Sequence, residues 1–413
     1  MPAPARPPGE RPGLFAEPSG PLAELRGRVR DFIDREVIPS EDELDGEPGA
    51  GSADLMRELQ RKAKAEGLWA LGLPADLGGG GLSLLEYAFI NEVIGRSEAA
   101  IEALGTLQTQ DAMMLDRYAT ASQRARWLAP LVAGEILPAT GMTEPEAAGS
   151  DPRQVRTRAL MEDGHWVING HKWFTSNADR AGFVTVLART DDPEVSAAGT
   201  GPGAPQFSMI IVPAGTPGFE VVRVIRTMGD TAGHHCEVRL RDVRVPADHL
   251  LGERGRGLDI GKMRLGPGRI FHCMRWLGQA QRAFELMCER ANSRHAHGSL
   301  LAQKGAVQRF IAESATEIQA SRLLTLDAAA KLDAGADASA EISMIKVFGA
   351  RMLHNVIDRA IQVHGALGVS GDAPLERMYR RARYARIYDG PDEVHEMVVA
   401  RRILRDPRNV PWV

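Results

Sequence analysis

The sequence predicts a mainly α-helical protein with a β domain in the middle, and three observations carry that prediction. Apolar residues recur at helical spacing up to about Ile136. Short β-rich runs separated by Gly, Pro and Asp follow, and helical periodicity then returns after Gly257 and persists. A chain of 413 residues can fold as two or three units around a large core. The expected division is a tail over 1–19, a helical domain over 20–136, a β domain over 137–252 and a helical bundle over 253–413.

The elements follow in order. The tail carries Pro2, Pro4, Pro7, Pro8 and Pro12 but no apolar signal core, so it reads as a mobile segment and not an export signal. Leu25, Val29, Phe32 and Ile33 mark a first helix that Pro39 should end, and Leu55, Leu59 and Ala63 mark another. Pro74 to Gly81 is glycine-rich, ahead of a helix expected over Leu84 to Gly95. Glycines there can cradle phosphate, but no Gly-Lys-Ser/Thr follows, which leaves a tight loop. Trp166–Ile168, Phe183–Leu187, Met209–Val212 and Glu237–Leu240 read as strands, Asn169-Gly170 as a hairpin turn and Ser196–Pro205 as a flexible surface loop. In the bundle, Phe284, Met287, Cys288 and Ala291 form one apolar stripe, and Met344, Phe348, Met352 and Val356 another.

Composition narrows the function. A formal net charge of -4 gives no reason to expect a nucleic-acid partner. Three cysteines are too few for a disulfide framework and suit a reducing cytosol, so a cytoplasmic location is expected. No run of about 18 apolar residues predicts a membrane span. Strands and helices do not alternate and no G-x-G-x-x-G joins them, which argues against a dinucleotide fold of the Rossmann type. A cofactor would instead lie between the β unit and the bundle. His234-His235-Cys236 and His272-Cys273 invite a metal, but neighbours on a strand face opposite ways and no C-x-x-C partner exists, so none is expected. His165, His171 and His354 read as turn or surface histidines.

Three segments carry chemistry. Near the C-terminus, Asp389 stands between Tyr388 and Gly390-Pro391, just before a last helix. Such a carboxylate can be held at a fixed place for proton abstraction; the alternative is an Asp that caps the following helix. Met142 to Asp151, with Thr143, Gly149 and Ser150, sets small and hydroxyl groups at a strand end where they could bond a planar, acceptor-rich ring. Strand alternation after Gly170 places Trp173 and Thr175 on one face, a ring and a hydroxyl suited to a flat aromatic cofactor. The basic run Arg377 to Arg386 reads as a solvated helix, with Arg381 or Arg383 as possible phosphate contacts.

These residues together resemble the acyl-CoA dehydrogenase family over about Pro21 to Leu404. The likeness extends to L-P-A-D-L-G-G-G-G before Leu82, R-D-V-R-V-P-A-D-H-L-L-G at Arg241 to Gly252, and Ala360 to Gly368. G-P-G-R-I-F-H-C-M-R and Y-D-G-P-D-E-V-H look most like the branch of family members ten and eleven and their actinobacterial relatives. The resemblance implies a helical domain, a small β-barrel and a four-helix bundle, with FAD between the last two. It implies oxidation of an acyl-CoA to the trans-2-enoyl thioester: a carboxylate takes the α-proton and the β-hydrogen leaves as hydride to flavin N5. By position Asp389 matches the base, and Met142, Thr143, Gly149, Ser150, Trp173 and Thr175 match flavin contacts. Arg294 matches an arginine that reaches a neighbouring subunit's FAD, with Gln362, His364 and Gly365 beside that cofactor. Ser150, Arg269, Tyr388 and Gly390 fall on the substrate side. A homodimer or homotetramer and electron-transfer flavoprotein as acceptor follow as family expectations.

Departures accompany the likeness. Asp389 replaces the usual Glu and is shorter by about 1.5 Å, one C–C bond. The position of a relocated base is Gly268, and Ala296, His297 and Gly305 replace residues that usually serve FAD. A raised pKa is expected for the base. Two alternatives remain: a 4-hydroxy- or 4-phosphooxyacyl-CoA converter of the same fold, or a catalytically weak flavoprotein scaffold.

Overall fold

The computed structural model describes residues 18–44, 50–191, 206–229 and 234–407. The expected tail, except its last two residues, and the Ser196–Pro205 loop lie outside the described residues. Among the described residues eight α-helices come first: α1 (Pro21–Phe32), α2 (Glu41–Leu44), α3 (Ala50–Ala65), α4 (Leu84–Ile94), α5 (Glu98–Ala103), α6 (Thr109–Tyr118), α7 (Ala121–Gln123) and α8 (Ala129–Ala133). Val29, Phe32 and Ile33 are buried, as their spacing requires, but Pro39 does not stop the helical course. It sits at the start of the single turn Ile38–Ser40, where a missing N–H forfeits no helical bond, and α2 follows directly.

The glycine-rich loop is tight, as expected. The amides of Gly79, Gly80 and Gly81 donate to the carbonyls of Pro74, Ala70 and Leu73 at 3.0, 3.2 and 2.8 Å. Those groups are committed to backbone and none is left to hold a phosphate. Ser83 and Glu86 then start α4 with reciprocal caps.

The middle unit is an eight-stranded sheet of β1 (Pro138–Gly141), β2 (Arg158–Glu162), β3 (His165–Ser176), β4 (Phe183–Arg189), β5 (Phe207–Pro213), β6 (Phe219–Val224), β7 (His235–Pro246) and β8 (Leu250–Leu251). Its order is β6-β7-β3-β2-β4-β5-β8, with β1 parallel to β4. Asn169-Gly170 is not a hairpin turn. Both residues lie inside β3 at a register shift against β7, where the Asn169 side chain exchanges two 2.9 Å hydrogen bonds with Asp242. Glycine is required for close approach: a Cβ on Gly170 would lie 2.2 Å from Thr157 Oγ1. The hairpin turn is Asp163-Gly164, both at positive φ (47° and 75°), as a two-residue loop between right-twisted strands demands.

The bundle comprises α9 (Gly257–Ser293), the short pair β9 (His295–Ala296) and β10 (Ser299–Leu300), then α10 (Gly305–Asp333), α11 (Ser339–His364), α12 (Leu375–Ala382) and α13 (Asp392–Arg405). Met287 and Ala291 are fully buried, but Phe348 is 37% exposed. Met352 and Val356 of the expected α11 stripe are buried, but the core face continues through Ile345 and Ala360 and leaves Met344 and Phe348 toward its edge. α9 also packs against α4 at glycine contacts. A Cβ on Gly278 would stand 2.0 Å from the Glu92 carbonyl oxygen, and one on Gly95 2.3 Å from Arg275 Cα. Gly278→Ala is therefore expected to destabilise by about 3 kcal/mol, the upper end for overpacking, since backbone and not a side chain must move. Thermal unfolding beside the unchanged protein checks it.

Candidate active site

The turn Tyr388-Asp389-Gly390 joins α12 and its continuation to α13, and its geometry is unusual for a loop. Asp389 adopts φ 55°, a left-handed backbone that non-glycine residues rarely take, Asp and Asn more than others. Three donors hold it there. Arg269 Nε and His395 Nε2 both donate to the Asp389 carbonyl, at 2.9 and 3.1 Å. Lys346, fully buried on α11, donates to the carbonyls of Ala385 (2.7 Å) and Gly390 (3.3 Å). Gly390 has no room for a side chain, as its Cβ would stand 2.7 Å from His395 Nε2. Asp389 does not cap α13; Pro391 holds that position with no side-chain cap.

The carboxylate faces α9. Its Oδ2 lies 3.2 Å from His272 Nε2, close enough for polar contact but off the N–H line, so Oδ2 is buried without an aligned hydrogen bond. Burial and Arg275 push His272 down to about 4, so its ring is neutral at pH 7. Burial pushes the Asp389 carboxyl up, but the His272 contact and the guanidinium charges of Arg264 and Arg269 outweigh it and hold the group below the usual carboxylate range. With His272 neutral, the direction rests on its Nε2–H as a donor and on the charges of the two arginines. The raised pKa expected from sequence is thus reversed, because the site brings cations with it. Arg264 itself is anchored by Asp111 at 2.9 and 2.8 Å, and Asp111 accepts from Thr140 Oγ1 at 2.8 Å. Tyr388 is a scaffold for the turn: its hydroxyl accepts from Trp276 Nε1 at 2.9 Å. Gly268 is buried and faces the Gln110 side-chain amide.

The Met142–Asp151 loop leaves the end of β1, as expected, and is held by a buried ion pair. Lys172 Nζ meets Glu144 Oε1 at 2.8 Å and the Met142 carbonyl at 3.0 Å, while Glu144 also accepts from Thr157 and the Arg156 amide. The Trp173 amide donates to the Thr143 carbonyl at 3.1 Å. Gly149 sits over Thr143, whereas Ser150 and Gly149 are both exposed. Simple alternation does not place Trp173 with Thr175. A second bulge lies between Lys172 and Thr175, with Phe174 at φ 49°, and it turns Lys172 and Thr175 to the buried side. Trp173 Nε1 and Thr175 Oγ1 are nonetheless both buried polar atoms with no partner among the described residues. Such orphans are costly unless a bound group satisfies them.

This loop and the Asp389 turn meet the same stretch of α9. A Cβ on Gly261 would lie 3.2 Å from Met142 Cε, and Arg269, which holds Asp389, is eight residues on, about 12 Å along the helix. Arg294 is elsewhere. It is exposed at the far end of α9, about 38 Å along the axis from Arg269. Exposed Gln362 and Gly365, with buried His364 bonded through Nδ1 to the Ala360 carbonyl, end α11. Short links alternate the helix directions, so α9 and α11 run the same way and these residues share that far end.

Other candidates settle differently. His171 is not a surface histidine: its ring bridges Glu146 and Glu237 at 2.8 and 2.9 Å and ties the Met142 loop to β7. Among the described residues no cluster of His, Cys, Asp and Glu could hold a metal ion, and no helix is long and apolar enough to cross a membrane. The basic run is more than a solvated face. Arg380 pairs with Glu376, Arg386 with Asp392, and Arg381 Nε donates to the Gly229 carbonyl at 3.0 Å, tying α12 to the β domain.

Three family models match along the chain: the N-terminal domain of acyl-CoA dehydrogenase over residues 22–135, the middle domain over 139–243 and the C-terminal domain over 255–404. The chain belongs to the acyl-CoA dehydrogenase family. It is 44% identical to "Probable acyl-CoA dehydrogenase FadE2" of Mycobacterium tuberculosis, over 93% of this chain and 95% of that one. It is 41% identical to acyl-CoA dehydrogenase family member 10 of Mus musculus, over 95% of this chain but 38% of that protein. It spans about half the length of the member 11 relatives. A solved butyryl-CoA dehydrogenase from Megasphaera elsdenii superposes with TM-score 0.83 at 28% identity, covering 94% of this chain and all of the other. Within this acyl-CoA dehydrogenase fold, sequence reasoning missed Arg264, Arg275 and Lys346, and weighed His272 only as a metal ligand. His272 lies three residues after Arg269, one helical turn along the same face, and that spacing was the available signal.

Proposed function

We propose that the chain is an FAD-dependent acyl-CoA dehydrogenase in which Asp389 takes the α-proton of an acyl-CoA thioester, leaving the trans-2-enoyl thioester. The observation that carries this is the buried Asp389 oxygen with no aligned hydrogen bond, on a turn fixed from three sides and beside the stretch of α9 that meets the Met142 loop. Met142, Thr143, Gly149, Ser150, Trp173 and Thr175 would hold FAD, and the two orphaned polar atoms at Trp173 and Thr175 fit that use. FAD, when bound, would supply the acceptor for the β-hydride. Asp389 receives the proton at a carboxylate oxygen, and its own amide serves the thioester oxygen where negative charge develops. The arginine charges hold Asp389 below the usual carboxylate range, so it stands ionised near neutral pH and free to accept a proton. Arg269 aims the acid through its carbonyl, and Tyr388 and Gly390 shape the substrate side.

Arg294, Gln362, His364 and Gly365 lie too far along the bundle to serve the same cofactor, and we assign them to the FAD of a second copy in a homodimer or homotetramer. Electron-transfer flavoprotein is the proposed acceptor. The deciding experiment is anaerobic addition of a panel of CoA thioesters to the yellow protein. Bleaching of the flavin by at least one saturated acyl-CoA is the expected result. No bleaching by any chain would leave a scaffold, and phosphate release from a 4-phosphooxyacyl-CoA would move the assignment to a converter of such substrates.

A further inference from the structure

His272 is the nearest neutral donor to the Asp389 carboxylate, and its protonation geometry is fixed from behind. Arg275 Nη2 donates to His272 Nδ1 at 2.8 Å, and a guanidinium can only donate, so Nδ1 is an acceptor and the ring hydrogen sits on Nε2. Nε2 is the atom 3.2 Å from Asp389 Oδ2. Trp276 stacks on the ring, with centroids 6.3 Å apart, and Tyr388 packs edge-on at 4.8 Å, so the imidazole has little freedom to turn. Among the described residues Oδ2 has no other donor. We propose that His272, locked by Arg275 as a neutral Nε2–H donor, is the positioning residue that aims the short Asp389 acid at the substrate. This rests on Asp389 being the base. The contact is off-line here and tightens into a hydrogen bond when substrate fills the cleft, as catalytic hydrogen bonds commonly do. His272 does not relay the proton: with Nδ1 held by Arg275, Nε2 has no lone pair to receive it.

The groups facing Asp389 are Arg264, Arg269, His272 and Cys273 from α9, Lys346 from α11, and Tyr388 and His395 from its own turn and α13. Of these only His272 is placed to meet Oδ2, so its loss should appear in the pH profile. In His272→Phe, the carboxylate loses a donor to its charged form, and the acid-side limb of kcat for flavin reduction, which reports the substrate-bound enzyme, should move up by about one pH unit. His272→Gln keeps an amide N–H near the Nε2 position and cannot ionise, so its limb should stay near that of the unchanged enzyme. Should the larger ring disturb Trp276, His272→Ala gives the same comparison. Retained FAD absorbance in each variant reports an intact fold. Limbs that coincide in all variants, or a Gln variant as displaced as Phe, would overturn the proposal, the latter because it would require an ionisable ring. Asp389→Asn separates the two levels: if it still reduces flavin the base assignment fails, whereas an inert Asp389→Asn with unmoved His272 limbs defeats only the role given to His272.

Discussion

Asp389→Asn is expected to give a folded, yellow protein whose flavin no acyl-CoA bleaches, a fall of on the order of 10⁴-fold in the rate of reduction. The substitution is close to isosteric. Asn tolerates the left-handed backbone at φ 55° as well as Asp does, and the three straps grip carbonyl oxygens of the turn, not the side chain. Stability should therefore change little, and the loss isolates the missing basic oxygen. No second carboxylate stands ready at the relocated position, which is Gly268. Stopped-flow reduction beside an unchanged thermal transition is the measurement. A variant that reduces flavin at the original rate would remove Asp389 from its role.

Lys346→Met should lower the rate of flavin reduction by about 100-fold while FAD stays bound. Lys346 is a fully buried ammonium, bonded to the carbonyls of Ala385 and Gly390 and placed over the rings of Trp276 (5.3 Å) and Tyr388 (5.1 Å). Burial pulls its pKa below the usual lysine value, a sign of how much water it has lost. Methionine fills most of the stem and removes that desolvation cost, but it leaves two carbonyls without their donor, at about 1–3 kcal/mol each. The two effects oppose, so net stability should shift by no more than roughly 2 kcal/mol. Position is another matter. A turn that relaxes by about 1 Å costs on the order of 100-fold in rate, since the acid must reach a carbon-bound proton. An unchanged rate would mean that Arg269 and His395 hold the turn without Lys346.

Much of this molecule was legible in its residues because helical and strand periods report burial directly. The helix–sheet–helix order, the α4 boundary and the tight glycine loop all follow from local pattern and turn chemistry. The errors have local causes too. Asn169-Gly170 carries a turn signal, but Asn169 uses its amide on Asp242 and Gly170 yields space to Thr157, so tertiary contact outweighs propensity. Phe174 breaks strand alternation because a bulge inserts a residue no period can anticipate. At the candidate site the Asp389 turn stood out by its own sequence, whereas Lys346 and Arg275 sit within apolar helical stretches and acquire meaning only when α9, α11 and the turn converge. The sign of the acid's shift could not be read either: Arg269 is expected on the substrate side, but its charge and those of Arg264 and the His272 contact act on the carboxylate only once α9 is packed against the turn.

The left-handed backbone at residue 389 also bears on why the acid is short. Among the acidic residues, aspartate accommodates that region far better than glutamate, since its compact side chain can bond locally. Lengthening the side chain by one methylene would therefore not simply restore reach; it would press against the chirality of the main chain at the same atom. Acid length and chain direction form one coupled choice here, so a swap toward the commoner glutamate must be accompanied by a rebuilt turn.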